Sequence, residues 1–512
     1  TEMRKKIGLL FIACCSATMG FAQGAVEALK YSSTELRGSA RYMSMAGAFT
    51  ALGGDITSVS RNPGAIGVFR NSEISLTLDF ATVLTQGKGT AGTQGESDFS
   101  MLGNNLGYIG TVRLQNSSLK TLNFGVAYNR LKSFNQRYKV GYNSPGSSIA
   151  DYVSVITNGY MPLPEELSDK NAYQNPDLAW LSIMGYTSGM ITANGTDTQY
   201  KYVPVNGNAD AAELAVDENG YIDEYDLNVG GNLRDVFYWG LGVGITDFRY
   251  RLSARYDERY SAIGQENQGL SNYLLTRGAG VNFKFGFVAR PWQYLRIGFA
   301  FHTPTYYTMT DRYEAEMYHG EMSVVSDGGL NESSYRFESP WRILGGVAVV
   351  LGKKGLLSFD YEYTDMTHVR MRTIDGLESE SFNAVSGDVK KYYRGVHALK
   401  IGGEYRVTNQ FSVRAGYAIE TSPVKRTLFN TPTEMYTSGT VTNYALPKET
   451  HYATAGLGYR FYRFYTDVAY VFRYQGSTVY PYSYVTDAGM TPNTGSLSTY
   501  LHSAVLTVGY KF

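Results

Sequence analysis

The sequence predicts an all-β protein: a 14-stranded antiparallel transmembrane β-barrel with an N-terminal plug, or hatch, inside its lumen. Three observations predict it. Apolar and polar residues alternate in one segment after another, and the connections between these segments are alternately short and long. Beyond residue 22 no stretch of about 18 apolar residues is available to cross a bilayer as a helix.

Composition agrees. The chain has 44 Tyr, 24 Phe and 56 Gly, which suits strands with one lipid-facing and one lumen-facing side. Its 46 basic and 46 acidic residues balance, which argues against a nucleic-acid partner or an anionic-membrane tether.

The first element is a secretion signal over residues 3–22. Met3-Arg4-Lys5-Lys6 is its basic start, Ile7 to Ala13 its short apolar run, and Gly20 and Ala22 the small residues of a cleavage site. Thr1 and Glu2 precede that start. Cys14 and Cys15 both fall inside the signal, so the mature chain is expected to have no thiol chemistry. Lipidation at either cysteine is the competing reading, and Phe11-Ile12-Ala13 fits it poorly.

Residues 23–72 form the second element, the hatch. They contain no alternating strand, and one helix is expected over Arg41–Leu52, stopped by Gly53-Gly54. Asp55 is placed as the cap of a second short turn that Asn62-Pro63 ends.

The barrel, residues 73–512, follows. Its strands are expected near 73–82, 105–114, 120–133, 222–231, 236–260, 279–290, 294–303, 340–351, 355–366, 395–407, 410–421, 451–461, 463–474 and 502–512. The last shows the pattern best: Ala504, Leu506, Val508, Tyr510 and Phe512 share one face, and Val505, Thr507, Gly509 and Lys511 the other. Long connections are expected at 83–104, 134–221, 261–278, 304–339, 367–394, 422–450 and 475–501, the largest being 134–221. Short periplasmic turns, long outer loops and an even strand count place both termini on the periplasmic side of an outer-membrane barrel. Closure then leaves no sheet edge in lipid.

Few residues carry a chemical signal. Asp217–Glu224 is a weak match to a calcium loop and reads better as a turn. Gly240, Gly242 and Gly244 are strand packing, since no helix follows to bind phosphate. The six histidines lack metal-ligand spacing, with His451 and His502 placed in or beside loops, and no Ser–His pair stands out, so neither cofactor, metal nor enzyme activity is expected. Lys284, Arg290 and Arg414 fall on the lumen-facing phase. They either pair with Asp360, Glu362, Glu404, Glu420 and Asp467 or meet a ligand carboxylate.

The run Gly38 to Asp55, followed by Ser60-Arg61-Asn62-Pro63-Gly64-Ala65, resembles the hatch of the FadL family of outer-membrane hydrophobic-compound transporters. Gly64 stands where that family usually has Ala. The resemblance continues through Arg296–Pro304, Lys400–Tyr405 and Arg414–Tyr417. It implies a hatch gated at Asn62, Pro63 and Gly64, a mostly apolar tunnel, and lateral exit at the third strand, where Gly125 is the candidate kink. The function expected is passive uptake of small hydrophobic molecules such as long-chain fatty acids by a monomeric barrel in contact with outer-membrane lipid and lipopolysaccharide. The alternative is a PorV-like docking or shuttle barrel for secreted proteins, and a membrane-embedded hydrolase ranks last.

Overall fold

A computed structural model describes residues 24–512 except 115–117, 197–198, 378, 432, 434, 436–438 and 486–489. The expected signal, with Cys14 and Cys15, lies outside the described residues.

Fourteen antiparallel staves close into a barrel. They are β1 Glu73–Gly89, β2 Gly92–Arg113, β3 Leu119–Ser133, β4 Ala211–Leu233, β5 Phe237–Arg259, β6 Gln268–Trp292 and β7 Leu295–His302. The rest are β8 Arg342–Leu351, β9 Gly355–Thr364, β10 Val396–Arg406, β11 Phe411–Glu420, β12 Tyr444–Phe461, β13 Phe464–Tyr480 and β14 Gly495–Lys511. Each pairs with the next, and β14 pairs with β1 from Glu73↔Lys511 to Lys88↔Ser496, so the main-chain groups that face lipid are satisfied within the ring. No described helix is long and apolar enough to cross a membrane.

The staves are longer than the sequence indicates. The stretch 83–104, expected as a loop, is strand on both sides of a tight turn at Thr90-Ala91. Strands also occupy much of 261–278 and 304–339, the latter holding a hairpin of Tyr306–His319 with Asn331–Glu338. The β5 stave explains why. Its outward residues are Phe237, Leu241, Val243 and Ile245, then Asp247, Arg249, Arg251 and Arg255. Its inward residues change in the opposite sense, from Gly240, Gly242, Gly244 and Thr246 to Phe248, Tyr250, Leu252 and Tyr256. At about 3.3 Å per residue, a 23-residue stave overruns a hydrocarbon core of about 30 Å. Beyond the core the outer face meets water, and the apolar side chains move inside. A search for lipid-facing apolar residues therefore reads these extensions as loops.

The β4–β5 turn is the three-residue loop Arg234-Asp235-Val236, closed by the pair Leu233↔Phe237, with Arg234 and Asp235 both at positive φ (55° and 58°). Thr246 and Asp247 lie in uninterrupted strand, paired with Glu224 and Asp223. The 134–221 connection holds a strand at Gln136–Asn143 paired with β4, helices Ile149–Tyr160 and Trp180–Thr187, and a hairpin of Ile191–Thr196 with Gln199–Pro204. With the overhanging staves these bury one large apolar cluster at the long-connection end.

The hatch runs the length of the lumen. Helix α1, Ala25–Ser32, lies in the long-connection half, where the Tyr393 hydroxyl donates to the Ala25 carbonyl at 2.8 Å. Helix α2 spans only Ala40–Ser44, because Ala46 (φ 52°) and Gly47 (φ 75°) adopt left-handed conformations that break the helix expected over 41–52. Helix α3, Ile56–Arg61, is capped by the Asp55 carboxylate, which accepts from Thr57 N at 3.0 Å. The chain then turns at Asn62 and enters β1 at the short-turn end, where Phe512 N donates to Ser72 O. Phe512 thus lies at the short-turn end, whereas the first described helix lies at the opposite one.

Candidate functional site: the hatch and the lumen

Within the membrane-level lumen the hatch is held by charge. Arg37 meets Asp79 at 3.0 Å, Arg41 meets Glu404 at 2.8 Å and Arg61 meets Glu362 at 2.6 Å. The acids are shared with the wall: Lys400 reaches Glu362 at 2.7 Å, and Arg414 bridges Glu404 (2.7 Å) and Asp467 (2.6 Å). Each ion is taken out of water, and the network compensates by giving Asp79, Glu362 and Glu404 more than one donor each. Backbone contacts add to this, with Thr50 N donating to Asp360 at 2.7 Å and Ala40 N to Thr507 at 2.7 Å.

The Asn62-Pro63-Gly64 turn is seated on the wall at β5 and β6. Asn62 is fully buried; its Nδ2 donates to Thr50 O (2.6 Å) and Phe287 O (3.1 Å), and its Oδ1 accepts from Gly64 N (3.0 Å). A Cβ at Gly64 would collide with the Phe287 backbone, one at Gly286 with Asn62 Oδ1, and one at Gly240 with Pro63 O. The departure from Ala at position 64 therefore has a steric cause. Gly402 and Gly416 do the same for α2, where a Cβ would come within 2.5 Å of the Met45 carbonyl group. Of the alternating glycines read from sequence only as packing, Gly240 and Gly242 mark where the barrel wall touches the hatch, whereas Gly244 faces Glu224 and Asn282 of the wall.

Gly125 lies in regular register between Ile109 and Asn228, and an added Cβ would meet Ile109 Cδ1 at 2.6 Å and the hatch residue Ile66 at 3.2 Å. It makes room for the hatch, and the irregularity of β3 is elsewhere. The register shifts between Arg130 and Lys132, leaving Leu131 as a bulge. The described β2–β3 ladder ends at Asn105↔Asn129, just below that bulge.

The three lumenal cations have different settings. Lys284 is buried against Glu224 and Asp226, the latter at 2.7 Å. Arg414 is buried in the bridge described above. Arg290 is half-buried near the short-turn end, with no ion pair among the described residues. His302 bonds Arg61 O at 2.8 Å. His397, His451 and His502 belong to β10, β12 and β14 and lie on the outer face, where they bond Tyr361, Tyr417 and Tyr470; the expectation that His451 and His502 sit in or beside loops is corrected. Among the described residues no three His, Cys, Asp or Glu side chains group to hold a metal.

Between the apolar cap and the polar lumen lies a cavity of about 200 Å3. Val26 and Leu29 of α1 form one wall with Phe134 and Tyr138, while Glu35, Lys132, Arg342, Glu362, Glu420 and Arg473 form its floor. This cavity is amphipathic, which departs from the mostly apolar tunnel that the resemblance implies. Glu35 joins the hatch to β13 through Arg473 and meets Arg37 at 2.8 Å. A second cavity continues past Glu35 and Arg61 to Asn129, Arg130 and Leu131 at the β3 bulge.

Residues 184–433 match the family model of outer membrane protein transport proteins (OMPP1/FadL/TodX). No curated protein matches the chain. Among solved structures, a Pseudomonas aeruginosa FadL homologue aligns with TM-score 0.56 and 12% identity over 94% of this chain and 99% of its own. The Pseudomonas putida toluene transporter TodX aligns with TM-score 0.53 and 13% identity, over 93% and 99%. At such identities the likeness to the structures is one of fold.

Proposed function

We propose that this outer-membrane barrel of the FadL type passes small hydrophobic molecules passively from the outer surface toward the periplasm, with the short-turn end periplasmic. The observation that carries the reading is the cavity under the apolar cap, walled on one side by Val26 and Leu29 of α1 and bounded below by charged groups. Apolar surface transferred to such a wall gains about 25 cal/mol per Å2. An engineered apolar cavity of about 150 Å3 holds benzene, so about 200 Å3 suits a ring or a short stretch of chain. TodX of Pseudomonas putida is a toluene transporter, which favours ligands of that size. A long-chain fatty acid would place its carboxylate among Lys132, Arg342 and Arg473.

Exit through the wall at the Leu131 bulge is the finer part of the proposal, supported by the cavity that reaches Asn129–Leu131. Arg37, Arg41 and Arg61 hold the hatch across the central lumen, which disfavours a straight path downward. The docking reading is favoured by one observation: Met161, Leu163, Val205 and Ile263 expose apolar side chains on the cap.

The test is mass spectrometry of small molecules extracted from the purified, detergent-exchanged barrel, repeated after deletion of residues 23–64. Hydrophobic solutes that are retained by the intact barrel and lost on deletion support uptake. An empty barrel that captures exported proteins moves the assignment to docking.

A further inference from the structure

We infer that the short-turn mouth of the lumen is a cationic vestibule that docks an acidic polypeptide segment from the periplasm. The inference rests on the proposed orientation and is independent of hydrophobic uptake.

Five guanidinium groups carry it. Arg113, Arg290, Arg296, Arg406 and Arg460 occupy the lumen-facing phase at the short-turn ends of β2, β6, β7, β10 and β12. Among the described residues none of the five forms an ion pair within 4.0 Å, whereas Lys284, Lys400 and Arg414 higher in the lumen each meet at least one carboxylate. Two further cations at this level, Arg70 and Lys511, meet Asp235 (3.4 Å) and Glu73 (3.0 Å). Arg290 and Arg296 lie with Arg70 and Asp235 around Tyr238, and Arg406 lies near Arg460, which also faces Glu404 and Asp467. Arg296 donates through Nη1 to Leu52 O at 2.7 Å, yet its Nε is buried with no partner.

Like charges gathered at one opening raise its potential and attract an anion. Their spread selects the kind of anion. Arg290 on β6 and Arg460 on β12 are six staves apart in a ring of fourteen, an arc of roughly 30 Å at about 4.8 Å per strand. One carboxylate or phosphate meets two of these groups at most, so a ligand that uses the ring carries several negative charges along its length. The side chains face the lumen, away from the headgroups that surround the barrel. An acidic peptide entering the mouth from water fits both conditions.

The experiment measures binding of a fluorescent ten-residue Asp/Glu peptide to the detergent-solubilised full chain by anisotropy. The comparison is Arg290→Gln/Arg406→Gln/Arg460→Gln, whose side chains make no hydrogen bond among the described residues, so that the hatch contacts stay intact. An outer-surface control is Arg249→Gln/Arg251→Gln. The vestibule predicts at least about tenfold weaker binding in the triple variant, no change in the control, and loss of affinity with added salt. Equal loss in both variants, or no binding by the parent chain, overturns it. So does displacement of the peptide by millimolar acetate or phosphate at low ionic strength, which assigns the mouth to free small anions. If the triple variant loses the heat-modifiable mobility of a folded barrel, Arg290→Gln alone serves, with about threefold weakening expected and an unchanged affinity overturning the proposal. Labelling of Arg463→Cys by an impermeant maleimide in intact cells would place this mouth outside the cell and overturn periplasmic docking.

Discussion

Arg41 of the hatch and Glu404 of β10 meet at 2.8 Å, and the same carboxylate accepts from Arg414 at 2.7 Å. One wall acid thus joins the plug to the barrel, and with Asp467 it balances two buried cations. Glu404→Gln leaves Arg41 without its carboxylate while Arg414 keeps Asp467, and breaking a buried pair costs about 3–5 kcal/mol. The expected result is a barrel that still folds but releases its hatch, read as new protease cleavage within residues 34–72. Cleavage no faster than in the parent chain contradicts the anchoring role.

The Asn62-Pro63-Gly64 seat makes a steric prediction. Gly64→Ala and Gly286→Ala each place a methyl group against atoms that have no room to move, and overpacking of this kind costs about 1–3 kcal/mol. Gly345→Ala meets open space and serves as control. Hydrogen exchange over 56–69 is expected to rise in the first two variants only. Identical protection in all three would show that the turn is not held by the wall.

Helix α1 supplies Val26 and Leu29 to the cavity. Leu29→Asn removes apolar wall, and the loss of a ligand contact worth about 1.5 kcal/mol weakens binding roughly tenfold. Titration with a monoaromatic fluorophore measures it. Unchanged affinity would move the ligand site away from α1.

A pH response is expected in the cap. Asp388 lies in the helix Glu380–Tyr392, which leads into Tyr393 and so to Ala25 of α1. Burial raises its carboxyl to about 6, with Lys391 opposing the shift. A folded-state value above the unfolded one means that the protonated form is favoured by folding. The stabilisation is full below about pH 4 and is lost as pH rises through about 6. Protection factors of amides 382–392, with the intrinsic pH dependence of exchange divided out, should therefore be higher at pH 5 than at pH 8. Asp388→Asn should remove the difference, and a persisting difference would assign it to another group.

The sequence by itself determined the fourteen staves, their antiparallel order and the presence of a hatch. Each of these follows from a local rule, because a membrane-level strand must alternate apolar and polar side chains one residue at a time. The same locality marks Asp55 and Asn62-Pro63 as helix boundaries. It failed where a second environment took over: above the membrane the outward residues of β5 become Asp247, Arg249 and Arg251, and the strand no longer looks like one. The helix expected over 41–52 failed for a related reason, since the left-handed turn at Ala46 and Gly47 is set by the wall at Gly402 and Gly416.

Only the tertiary structure decided which charges meet. Glu404 and Arg41 are 363 residues apart, and Arg61 and Glu362 are 301. No local pattern relates such positions. Lys284, Arg290 and Arg414 share one alternation phase in the sequence, yet closure of the ring buries two of them among carboxylates and leaves Arg290 at the mouth. Strand phase determines that a side chain faces the lumen; height in the barrel and the path of the hatch determine what it finds there.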